Sequence, residues 1–194
     1  MKKLSNLFFL LGILLMAVSL SLLLFTQFRA SRSEAVCAAT VHKIEALMPQ
    51  RTAGLSGGYS NPEMPVLQTD GQDYVCLLEV PGYGITLPVA NQWDRRDVFS
   101  HPCRFFGSAY DDSLIIGGAD QPGQLDFMSR LDIGDSIRIT DMTGAEFRYE
   151  VSRIDRASSA DYDVLASQAY TLTLFVRSSH FHEYILVRCT ATAQ

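Results

Sequence analysis

A chain of 194 residues, 47% hydrophobic and 19% charged, has an ordinary globular composition and room for one domain plus accessory segments. Its net charge of −5 and the absence of any Lys/Arg run argue against nucleic-acid binding. The slightly positive mean hydropathy comes mostly from one N-terminal segment.

That segment, Leu7 to Phe25, is nineteen residues without a charge, interrupted only by Gly12, Ser19 and Ser21. It is long enough to cross a bilayer core as a helix. Lys2 and Lys3 precede it and Arg29 and Arg32 follow it, so the flanking charge biases orientation only weakly. A cleaved signal peptide is the alternative, but the apolar run is too long for one and Phe28-Arg29-Ala30-Ser31 is a poor cleavage site. Residues 1–28 are therefore expected to form a cytoplasmic tip and an uncleaved signal anchor. The C-terminal domain then lies outside the plasma membrane.

Residues 29–65 read as a juxtamembrane helix and a linker. Ser33 can cap a helix running to Met48, with Glu34 in its first turn and Cys37, Val41, Ile44 and Met48 in one apolar stripe. Such a helix either continues from the membrane or packs on the domain. Pro49 to Pro65 is rich in Gly, Ser and Pro and poor in apolar residues, as a linker is.

Residues 66–194 turn to short strands. Tyr74 to Val80 and Ile85 to Val89 are strands joined by the turn Pro81-Gly82-Tyr83-Gly84. Asn91 to Ser100 is a polar turn or short helix anchored by Trp93, Val98 and Phe99. Leu114-Ile115-Ile116 is a buried strand running into Gly117-Gly118, and Leu125 to Leu131 a short helix. Ser136 to Asp141 and Glu146 to Ile154 form a hairpin around Met142-Thr143-Gly144, and Asp161 to Ser167 a brief helix. Thr171 to Val176 is apolar or Thr throughout, as a strand covered on both faces is, and Tyr184 to Cys189 follows after a polar break. Many closely spaced strands with short helices between them predict a mainly β fold, a closed barrel.

The closing stretch carries a family resemblance. Leu172-Thr173-Leu174-Phe175, a polar loop, then Tyr184-Ile185-Leu186-Val187-Arg188-Cys189 resembles the last strands of sortases, especially class B-like ones. Glu79-Val80-Pro81-Gly82 with Leu87-Pro88-Val89 is similar to the family's opening hairpin. Pro102-Cys103-Arg104-Phe105, Gly107-Ser108, Leu114-Ile115-Ile116 and Leu131-Asp132-Ile133-Gly134-Asp135 extend the likeness over residues 66–194. Sortases are membrane-anchored cysteine transpeptidases, so the resemblance implies a sortase-type barrel behind an anchor, on a cell surface of the Gram-positive type.

The resemblance also implies three catalytic positions, and none carries the expected residue. The family signature is Thr-Leu-x-Thr-Cys. Here Thr173-Leu174-Phe175 is followed by Val176 and then by Arg177 at the cysteine place. The histidine place, a few residues beyond Leu114-Ile115-Ile116, falls at Ala119, with Gly118 or Asp120 if the count slips by one. The arginine place falls at Tyr184. A guanidinium is no nucleophile, a methyl holds no proton to give, and a phenol is uncharged at neutral pH. Arg188 reads as a strand residue and not as a displaced catalyst.

Other groups are weaker candidates. Of the four cysteines, Cys37 lies outside the barrel and Cys76 sits in an apolar strand; Cys103 follows His101-Pro102, and Cys189 ends the last strand. A Cys103–Cys189 bridge is open in an extracytoplasmic setting, and spacing does not decide it. His180-Phe181-His182 invites a metal, but two spaced ligands fall short of the three or four a site needs, so neither metal nor cofactor is expected. Asp111, Asp112, Asp161 and Asp163 read as turn and cap residues. Arg177 is expected to meet an acid such as Asp120 or Glu183, or a ligand carboxylate, unless its strand end simply faces solvent.

The sequence thus favours a non-catalytic, membrane-anchored sortase-like protein. It would bind a sorting-signal-like peptide or a surface protein near Arg177, Tyr184, His180 and Asp120. The alternatives are a transpeptidase with a non-standard nucleophile, and a structural element whose groove is closed by Phe181 or Tyr184.

Overall fold

The computed structural model of the protein describes residues 2–53, 63–94, 97–167, 169–178 and 183–192, with side chains described except at 2–11, 25–33 and 97. Helix α1 runs unbroken over Lys2–Leu47. The helix expected from Ser33 is present as the continuation of the N-terminal one; only its start at Ser33 is absent, because nothing from Thr26 to Glu34 is Pro or Gly and the turn-by-turn hydrogen bonding simply continues. Among residues with described side chains, no helix is long and apolar enough to cross a membrane. The expected anchor, Leu7 to Phe25, lies partly outside that set.

Ten strands follow: β1 (Thr52–Ala53), β2 (Leu67–Thr69), β3 (Gln72–Val80), β4 (Ile85–Ala90), β5 (Cys103–Phe106), β6 (Leu114–Ala119), β7 (Ser136–Asp141), β8 (Ala145–Ala157), β9 (Leu172–Arg177) and β10 (Tyr184–Ala191). Eight of them close a barrel in the order β8-β10-β9-β6-β5-β4-β3-β7, with β7 pairing back to β8. Closure leaves no free edge on these strands. β4–β5 and β6–β9 are its parallel pairs. The barrel, its hairpins and its closing strands thus follow the reading of the sequence. Strands β1, β2 and β5 were not anticipated. The helix expected from Leu125 is a run of 3-10 turns, Leu125–Arg130, and a four-residue helix α2 (Tyr162–Leu165) lies between β8 and β9. Phe99 is no anchor. In the single turn at Asp97–Phe99 Val98 is buried, and Phe99 is 66% exposed.

The α1 stripe is part of the core. Cys37, Val41 and Ile44 join the same apolar cluster as Leu77, Leu78 and Val89 of the barrel, with Met48 packed against it. Arg51 then donates twice to Glu79 on β3, at 3.0 and 2.8 Å, and Thr140 of β7 donates to the same carboxylate. The turn at Gly144 (φ +84°) completes the dock. Its carbonyl accepts from Thr52 N–H at 2.8 Å, and a side-chain carbon there would come within 2.8 Å of the Gln50 carbonyl oxygen. Met64, from the expected linker, is also buried, and the Ala109 N–H approaches its Sδ.

The β7–β8 hairpin turns on a fully buried carboxylate. Asp141 Oδ1 accepts from the Thr143 N–H, the Thr143 hydroxyl and the Ala145 N–H, each at 2.8 Å, and Tyr110 donates its hydroxyl to Oδ2. Burial without these donors would be prohibitive for a charge; with them the acid pins the hairpin to the 107–113 loop.

These two packings make measurable predictions for full-length protein in detergent, unfolded by urea and followed by its single tryptophan, Trp93. Ile44→Ala is expected to lower stability by about 2–4 kcal/mol. Leu47→Ala, at a site 62% exposed, should change it by no more than about 0.5 kcal/mol; equal effects would mean that α1 is not docked in solution. Asp141→Ala should cost about 3 kcal/mol through stranded donors. Arg148→Ala removes only a surface ion pair to Glu146 and should cost less than about 1 kcal/mol.

Candidate functional site

Strands β6, β9 and β10 lie side by side and end in one row. β6 ends at Ala119, opposite Arg177, the last residue of β9. β10 begins at Tyr184, which pairs with the same Arg177. The three positions implied by the family resemblance are therefore neighbours across a sheet, about 5 Å apart strand to strand. Ala119 offers a methyl, Tyr184 a phenol and Arg177 a permanent cation.

One row back along β9, Phe175 lies opposite Gly117. This close approach needs a glycine, because a side-chain carbon at 117 would fall 2.4 Å from the Phe175 ring and 2.6 Å from the Trp93 ring. Over that gap Trp93, Phe105 and Phe175 form a mutually packed triad, with all three ring-centroid distances 5.4 Å. Together the triad and the strand-end row line an open cleft of about 840 Å³, which Asp120, Gln121, Ala160 and Ser178 also border. Sequence reasoning treated Trp93 as a loop anchor and did not assemble the triad. The available signal was Gly117-Gly118 at the end of a buried strand.

The polar groups have distinct partners. Gln124, itself buried, accepts from the Ala119 N–H at 3.1 Å and holds the end of β6. Ser178 N–H donates to the Glu183 carbonyl, closing the ends of β9 and β10, and the Glu183 carboxylate pairs at the rim with Arg156 at 3.9 Å. Burial pushes the Asp126 carboxyl up, Arg130 partly offsets this, and Asp120 adds to the rise. Arg177 is exposed to the cleft and makes no hydrogen bond or ion pair with any described residue, so the expected contact with Asp120 or Glu183 is not formed. His180 and His182 lie outside the described residues. Among the described residues no group of three His, Cys, Asp or Glu is placed to hold a metal.

Arg188 lies on the same face of the sheet as Phe175 and Arg177, two pairs further along β10 from the Leu186–Phe175 pair toward the other end of the strands, opposite Thr173. Its guanidinium donates to Asp155 (3.1 Å) and to the carbonyls of Leu165 (3.1 Å) and Val164 (2.6 Å), tying α2 to β10. All four cysteines are buried and unbridged. Cys103 donates to the backbone carbonyl of His101, whose Nε2 lies 3.3 Å from the Tyr74 hydroxyl. Burial raises the thiols of Cys37, to about 11, and of Cys189, to about 12, and pushes Cys76 higher still.

No protein-family model matches the chain, and no curated protein does. Solved structures do. A lid mutant of sortase A from Corynebacterium diphtheriae aligns with a TM-score of 0.55 at 20% identity, covering 63% of this chain and 72% of that one. A sortase D5 transpeptidase from Clostridium perfringens aligns with a TM-score of 0.56 at 19% identity, covering 68% and 83%. Sortase C1 from Streptococcus agalactiae gives a TM-score of 0.52 at 17% identity, covering 61% and 67%. At such identities the likeness is one of architecture, and its conclusion is structural: this chain has the sortase fold.

Proposed function

We propose that the protein is a membrane-anchored, extracytoplasmic sortase-fold protein that binds a peptide in the Arg177 cleft and does not carry out transpeptidation. The carrying observation is the row Ala119–Arg177–Tyr184 at the ends of three paired strands. Acyl transfer of this type needs a thiolate to attack, an acid to protonate the leaving amine and a cation to hold the oxyanion. In this row the attacking place holds a guanidinium and the acid place a methyl. The one charge sits where the nucleophile is needed. An open cleft with an aromatic wall nonetheless has the size and surface of a binding groove.

Anchoring rests on the charge-free run Leu7 to Phe25, and the class B-like character on the sequence segments alone. The helix that contains that run continues without a break to Leu47, and its Cys37, Val41 and Ile44 pack on the barrel.

The cysteines support a non-catalytic role. Thiols whose pKa is raised to about 11 or 12 hold less than about one part in a hundred as thiolate at pH 8. Full-length protein is therefore expected to yield neither cleaved peptide nor acyl adduct when incubated with sorting-motif peptides and an amine acceptor, read by mass spectrometry beside an active sortase. In the same preparation iodoacetamide should label the four cysteines slowly at pH 8 and rapidly in urea. An acyl adduct on Cys76, Cys103 or Cys189 would overturn the proposal and name the nucleophile.

A further inference from the structure

A permanent cation at the end of β9, bordering a cleft with an aromatic wall, is not required by the fold. Arg177 cannot lose its charge, and no described residue neutralises it. Its row neighbours are a methyl and a phenol, and the aromatic triad stands one row behind. Beside such apolar groups the attraction of an anion to the guanidinium is stronger than in bulk water, and the planar fork matches a carboxylate. Asp120 borders the same cleft, which disfavours a long acidic segment and leaves room for a single negative group.

The geometry also says where that group sits in a chain. β6, β9 and β10 all reach their ends in the Arg177 row, and beyond that row the cleft is bordered by Asp120, Gln121 and Ser178. Arg177 and Phe175 are two residues apart on one face of β9, about 6–7 Å. That is the span from a terminal carboxylate to the preceding side chain of an extended peptide.

We propose that the cleft captures the C-terminal end of a polypeptide, with the free carboxylate on Arg177 and a bulky apolar penultimate side chain against Trp93, Phe105 and Phe175. This inference rests on the peptide-binding reading of the cleft given above.

The test uses full-length protein in detergent and three peptide libraries that share randomised final positions. One ends in a free acid, one in an amide, and one in an amide with Asp or Glu in the last position. Retention is read by affinity-selection mass spectrometry, with circular dichroism confirming that each variant is folded. Free acids with an apolar penultimate residue should be retained about tenfold better than their amides. That preference should vanish in Arg177→Gln and shrink in high salt. Equal retention of acid and amide, abolished by the cleft-filling variant Ala160→Trp, would overturn the carboxylate assignment and leave peptide binding standing. Preference for the amidated Asp/Glu library would overturn the terminal assignment. Retention of none, or retention indifferent to Ala160→Trp, would overturn both.

Discussion

The cleft depends on the bare backbone at Gly117. Strand β6 lies parallel to β9, and where the two pair, the Phe175 ring folds across the space that any other residue would fill. That contact brings Phe175 within reach of Trp93 from the β4–β5 connection and Phe105 from β5, so three separate segments meet over one missing side chain. The same ladder, carried one row further, sets Ala119 beside Arg177. Wall and strand-end row are thus two consequences of a single register, and a slip by one residue would send both to the other face.

Two arginines on this sheet show how burial divides structural from available charge. Arg188 is 9% exposed, and its guanidinium is hydrogen-bonded to a carboxylate and two carbonyls. Removing any of those partners would strand a charge, so the side chain is committed to holding α2 against β10. Arg177, on the neighbouring strand, has no such partners among the described residues and opens into the cleft. The fold has satisfied one cation internally and left the other to whatever enters. Asp141 follows the logic of Arg188: four donors converge on it, and it binds the hairpin to a distant loop.

Much of the architecture was legible because strands and turns are written locally. The apolar runs around Leu77, Ile115, Leu174 and Val187 each announce a strand covered on both faces, and Met142-Thr143-Gly144 announces its hairpin. The β2–β3 turn is written locally too, since Asp70-Gly71 is a strong hairpin signal and both residues take positive φ. Strand β5 was hidden because Cys103–Phe106 is short and mixes Arg with aromatics. The Thr52–Ala53 pairing was hidden because two residues carry no periodicity. The Cys37–Val41–Ile44 stripe was visible as a stripe, but its partner surface on the barrel was not.

The sequence by itself determined most of the strands and their order, and which residues, Ala119, Arg177 and Tyr184, stand at the positions counted from the family resemblance. Those are properties of neighbouring residues and of a linear count. Tertiary structure alone decided that Ala119, Arg177 and Tyr184 share one row, that three aromatics from separate segments close a wall over Gly117, and that Arg188 is buried where Arg177 is not. These outcomes rest on hydrogen-bonded register between strands far apart in the chain. The period-2 pattern of a strand fixes which residues share a face, but not which residues of another strand they will meet.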